Sequence, residues 1–127
     1  MSKNQVAITL NADDTSEIKM FSIGNSYEMI RYAVDGWIEC VELRNGISMW
    51  VNEEGKMLED CEYNATATAI FWTTYGFMTD TIYGNVIFTS VDENGDTIGL
   101  NLDQVNYLKE IAFDVVGIKP KFNAVAL

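Results

Sequence analysis

Four turn signals cut this chain into runs too short for anything but strands and modest helices. Asp35-Gly36, Asn45-Gly46, Asn52-Glu53-Glu54-Gly55 and Asp92-Glu93-Asn94-Gly95 each put residues that tolerate positive φ between apolar runs. Residues 37–43 (WIECVEL) alternate strictly, and across Asn45-Gly46 residues 47–51 (ISMWV) form the natural partner of a hairpin. Trp37, Glu39, Val41 and Leu43 share one face, and Ile38, Cys40 and Glu42 the other; neither face is wholly apolar. Residues 5–10 (QVAITL) and 18–22 (IKMFS) read as a second strand pair around a turn-rich segment. Residues 82–91 (IYGNVIFTSV) read as the longest strand, with Gly84 as a bulge, turning at 92–95 into residues 97–100.

Helix signals fall between these strands. Asn25 to Glu28 has the spacing of a capping box and predicts a helix to about Val34, with Met29, Ile30, Ala33 and Val34 as its apolar stripe. Asn64 is placed to cap a helix over 65–75 that stops at Gly76. Asn101 and Gln104 again have capping-box spacing, ahead of a stripe of Leu102, Val105, Leu108, Ile111 and Ala112. The tail 117–127 reads either as an added strand or as a frayed end. Strands and helices mix without a βαβ rhythm. The fold class expected is therefore α+β: a single compact domain over 1–127, its mostly antiparallel sheet carrying two or three helices.

Charge and composition exclude more than they assign. Eight Lys+Arg against 19 Asp+Glu give a net charge of −11, so direct nucleic-acid binding and binding to anionic membranes are both disfavoured. The same excess permits a partner with a basic surface, including a protein whose own nucleic-acid cleft is basic; solubility alone is the competing explanation. Histidine is absent, which removes the Ser-His-Asp and Cys-His arrangements and the commonest zinc ligand. The two cysteines, Cys40 and Cys61, form no CxxC and no four-ligand metal pattern. With no signal-like or membrane-length apolar segment, the expected setting is the cytoplasm, with both cysteines as thiols and no cofactor or metal.

Two constellations carry what chemistry there is. Glu53, Glu54, Glu59, Asp60 and Glu62 crowd around Lys56, in turns and on the approach to a helix. Water there would equalise the carboxyl groups, whereas acid–base catalysis needs them pushed apart, so no catalytic residue is expected and the cluster is a candidate partner-binding surface. Asp92, Asn94 and Asp96 echo a calcium loop, but Thr97 replaces its glycine and Asp103 its bidentate glutamate, and a hairpin turn accounts for the same residues. The aromatic set (Trp37, Trp50, Phe71, Trp72, Tyr75, Phe77 and Tyr83) is expected mostly in the core. The alternative is a pocket for a nucleotide-like ligand, stacked on Trp50, Trp72 or Tyr83 with Arg31 or Arg44 nearby as the cation.

Gly36-Trp37-Ile38-Glu39, Trp50-Val51-Asn52-Glu53-Glu54-Gly55-Lys56, Asn64-Ala65-Thr66-Ala67 and Tyr83-Gly84-Asn85-Val86 together resemble domain of unknown function 3846. The likeness spans about residues 22–100, leaving the first strand pair and the C-terminal helix and tail (101–127) outside. That family consists of small proteins of bacteriophages, plasmids and bacteria. The resemblance implies no catalytic residues; it implies an accessory protein in a bacterial host. The expected function is a non-enzymatic binding protein that inhibits a host defence or nucleic-acid-processing protein through its acidic surface. The alternatives are sequestration of a nucleotide signal and a homo-oligomer burying exposed aromatics.

Overall fold

In the computed structural model, which describes residues 5–58, 61–75, 80–111 and 121–123, the chain runs β1 (Gln5–Leu10), β2 (Thr15–Phe21), α1 (Ser26–Val34), β3 (Ile38–Glu42), β4 (Ile47–Asn52), α2 (Ala65–Tyr75), β5 (Val86–Val91), β6 (Thr97–Ile98), α3 (Leu102–Glu110) and β7 (Lys121–Asn123). One sheet has the order β3-β4-β5-β1-β2-β7, with β6 pairing with β5 off that path. Every pairing is antiparallel except the parallel β2–β7 contact. The domain is thus α+β with a mostly antiparallel sheet, as the turn spacing predicts.

Alternation along the strands builds two cores. Ile8, Leu10, Ile18, Met49, Val51, Val86 and Phe88 face one way and receive Ala67 and Ile70 of α2, Val105 and Leu108 of α3, and Ile111 just after it. Ala7, Phe21 and Ile87 face the other way and receive Ile30 and Val34 of α1. The sheet therefore lies between one helix and two, and its central strands are apolar on both faces.

Several sequence expectations shift for local reasons. Strand β2 begins at Thr15, three residues before the apolar run, because Asp14 at φ 70 closes the turn early. Asn25 makes no side-chain cap; a 3₁₀ turn at Ile23–Asn25 leaves it at φ −105, ψ 8, outside the extended geometry a cap needs. Residues 82–85 are not strand. Gly84 at φ +85 turns them aside, and they bond to 62–64 instead, through Asn64 N–H to Ile82 C=O and Gly84 N–H to Glu62 C=O. The strand after the 92–95 turn is only Thr97–Ile98. Leu102 leads α3 and stays 71% exposed, so the buried stripe starts at Val105. The capping box of Asn101 and Gln104 forms in both directions. Gly76, Phe77 and Ala112 lie outside the described residues, as does the tail apart from β7.

One side chain joins three of these segments. Asn64 is wholly buried. Its Oδ1 accepts from Ala67 N–H at 3.0 Å, capping α2, while Nδ2 donates to the carbonyls of Leu10 (3.0 Å) and Gly84 (2.9 Å). Asn64→Ala strands the Ala67 N–H at the start of α2 and removes the donor shared by the Leu10 and Gly84 carbonyls, and is expected to destabilise by about 2 kcal/mol or more, read from the urea midpoint. Asn64→Asp keeps the cap acceptor but sets a buried carboxylate against two carbonyl oxygens, which raises its folded-state pKa. Its stability deficit should therefore be worst at neutral pH and shrink as pH falls and the carboxyl is protonated.

Candidate functional site

The edge of the sheet meets α2 and the 80–83 segment in a groove of about 380 Å³. Val41, Val51, Phe71 and Ile82 give it an apolar wall, and Glu39, Glu53, Glu54 and Asp80 line it with carboxylates. Among its described lining side chains none is cationic. Glu39 is there because β3 alternates, which puts it on the α2 side together with Val41.

Backbone bonds fix the acidic turn. Asn52 is 8% exposed; its Oδ1 accepts from Glu54 N–H at 2.8 Å, and its Nδ2 reaches Asp35 C=O at 3.4 Å. Glu53 N–H donates to Trp37 C=O at 2.9 Å, extending the β3–β4 ladder into the turn. Gly55 is buried against Tyr83, whose carbonyl would lie 3.0 Å from any Cβ placed there. Across the groove, Thr68 of α2 accepts from Ile82 N–H at 2.9 Å, and Asp80 Oδ1 accepts from Thr81 N–H at 2.9 Å. The carboxylates thus stand on a braced frame, and Glu39, Glu53 and Glu54 reach solvent.

The five acidic residues singled out from sequence do not form one patch. Glu53 and Glu54 line this groove, whereas Glu62 lines a separate, more polar hollow of about 480 Å³ with Asp13, Asp35 and Cys61. Glu59 and Asp60 lie outside the described residues. Glu39 and Asp80 are what sequence reading misses. Glu39 had a signal, an acid sharing a strand face with Val41 and Leu43; Asp80 had none.

The residues suggested for a nucleotide pocket are dispersed. Arg31 sits on α1, donates to Gly36 C=O at 3.4 Å and stacks 4.4 Å over the Trp37 ring. Arg44 lies on the opposite side of the sheet, where its guanidinium donates to Thr74 C=O of α2 at 3.2 and 3.3 Å. Trp50 faces the α1 side and donates to Thr89 Oγ1 at 2.9 Å; Trp72 donates to Asp80 C=O from α2. Tyr83 packs edge-on against Tyr63, centroids 5.7 Å apart. Of the seven aromatics expected mostly in the core, none of the six described is fully buried: Trp37 is 57% and Tyr75 44% exposed. The core is aliphatic, with Phe21 and Phe88, because the strands' inward positions are taken by branched residues.

Cys40 carries a free thiol at the surface. Burial pushes the Cys40 thiol up from its ordinary value; a hydrogen bond with Ser48 opposes this, and the neighbouring Glu42 charge adds to it. Cys40 should therefore alkylate with iodoacetamide at pH 8 more slowly than cysteine in an unstructured peptide. Glu42→Gln should speed the reaction and Ser48→Ala slow it further, as read by peptide mapping.

Among the described residues no group of three or more His, Cys, Asp or Glu is placed to hold a metal ion, and no helix is long and apolar enough to cross a membrane. No curated protein and no solved structure matches the chain. A family model described as Domain of unknown function (DUF3846) matches residues 7–112, taking in the first strand pair and α3 and so reaching beyond residues 22–100 in both directions. With most of its length, from within β1 to the end of α3, matched by that model, the chain belongs to the DUF3846 family.

Proposed function

We propose that this chain is a non-enzymatic binding protein whose acidic groove receives a basic segment of a partner protein. One observation carries this: Glu39, Glu53, Glu54 and Asp80 line a groove with an apolar wall and no cation among the described lining residues. Lys and Arg suit such a place, since their aliphatic stems bury against apolar surface while the charged head meets carboxylates. The net charge of −11 adds long-range attraction for a basic partner. The phage and mobile-element setting suggested by the family resemblance extends this to inhibition: the groove would engage the basic surface of a host defence or nucleic-acid-processing protein in the bacterial cytoplasm. The residues suggested for a nucleotide pocket are dispersed, with Arg31 and Arg44 on opposite sides of the sheet, and this favours the groove as the binding site.

The test is capture from a bacterial lysate on immobilised protein, comparing the native chain with the triple variant Glu39→Gln, Glu53→Gln, Glu54→Gln. The native chain should retain a basic protein that the variant retains at least about tenfold less, three surface ion pairs contributing several tenths to 1 kcal/mol each. Retention should also collapse at about 0.5 M salt, where the Debye length falls to about 4 Å. Equal capture by the variant, or capture indifferent to salt, would sink the proposal.

A further inference from the structure

The outer edge of β3 borders the acidic groove, and its backbone polarity can be assigned. Leu43 N–H donates to Ile47 C=O and Glu53 N–H to Trp37 C=O, so the pairs 43/47 and 37/53 exchange hydrogen bonds across the hairpin. In an antiparallel ladder bonded and non-bonded pairs alternate, and the register Glu39↔Val51, Cys40↔Trp50, Val41↔Met49 makes Glu39 and Val41 bonded positions. The N–H and C=O groups of Ile38, Cys40 and Glu42 therefore point away from β4. Tyr75 of α2 confirms this direction, since its hydroxyl donates to Glu42 C=O at 2.6 Å. No hydrogen bond from a described residue reaches the other outward groups of these three, and β3 ends the strand order.

We infer that the basic segment binds as an added antiparallel strand on β3, hydrogen-bonded to Ile38, Cys40 and the N–H of Glu42, with alternate Lys or Arg side chains turned into the acidic groove. This rests on the groove function proposed above and specifies how the partner is held. Residues of the added strand opposite Glu39 and Val41 lie on the α2 side of the sheet, the side of Glu53 and Glu54. Main-chain bonds supply attachment and the carboxylates select the side chains, the division of labour of strand addition. Charge complementarity chooses the occupant. A second copy pairing through β3 would gather Glu39 and Glu42 of both chains on one seam, where like charges oppose pairing.

The geometry makes a test that separates strand addition from simple charge binding. The probe is a capped hexapeptide alternating lysine and valine, titrated calorimetrically at low salt. With lysines over the groove, the valine amides face β3 and the lysine amides face solvent. N-methylation of the valine amides should weaken binding at least about tenfold, because each lost backbone bond is worth about 1 kcal/mol, while N-methylation of the lysine amides should leave it nearly unchanged. Cys40→Pro should abolish binding with little loss of thermal stability, because the N–H it removes makes no bond to β4 and proline is tolerated on such an edge. If both methylated peptides bind alike, strand addition is wrong, although the acidic groove survives provided the Glu→Gln triple variant loses affinity. If the triple variant binds as the native chain does while valine methylation still matters, the edge stands and the groove function falls. Failure of the unmodified peptide to bind refutes both, and a dimer abolished by Cys40→Pro would replace the basic segment with a second copy.

Discussion

The buried amide of Asn64 is the interaction on which the rest of the arrangement depends. With one acceptor and two donors it holds the first turn of α2, the end of β1 and the chain at Gly84 at a single point. A carboxylate could not make the two donations, and a hydroxyl could not reach all three partners. Because α2 is anchored there, Thr68 falls opposite Ile82 and Phe71 falls beside the 80–83 segment, and these make the far wall of the groove. The groove therefore inherits its geometry from a cap.

Polar side chains inside the protein join its layers in the same manner. Gln104 of α3 donates to Asn45 C=O in the β3–β4 turn at 2.8 Å and to Ser90 Oγ of β5 at 2.9 Å, while its Oε1 accepts from Asn101 N–H in the capping box. One glutamine thus serves as both a local cap and a tertiary tie. Along α2, Thr66, Thr68 and Thr74 are all buried, and Thr74 returns its hydroxyl to Ile70 C=O at 3.0 Å. A helix enclosed on most sides can use threonines whose hydroxyls find partners, which is why a segment of strand-favouring composition folds as a helix here.

Local signals were legible where the chemistry acts over a few residues. Asn45 at φ 63 and Gly46 at φ 72 turn β3 into β4 as the Asn-Gly pair predicts, and helix α2 begins at the residue after Asn64. The signals failed where a neighbour intervened. Asn25 lost its cap to a preceding 3₁₀ turn, and residues 82–85 left their strand to pair with 62–64. The acid density between residues 53 and 62 pointed to a surface, but only Glu53 and Glu54 share the groove, while Glu62 turns to another hollow.

By itself the sequence determined most of the elements, the antiparallel character of the sheet, the excess of acidic residues and the absence of histidine. Each follows from composition or from backbone preferences within a turn or two of chain. Tertiary structure alone decided that β3 would be an edge, that Glu39 and Asp80 would join Glu53 and Glu54, and that Arg31 and Arg44 would be parted by the sheet. Those outcomes depend on strand order and on which face each helix covers. They were settled by burying two apolar faces at once, a constraint that acts between segments far apart in the chain.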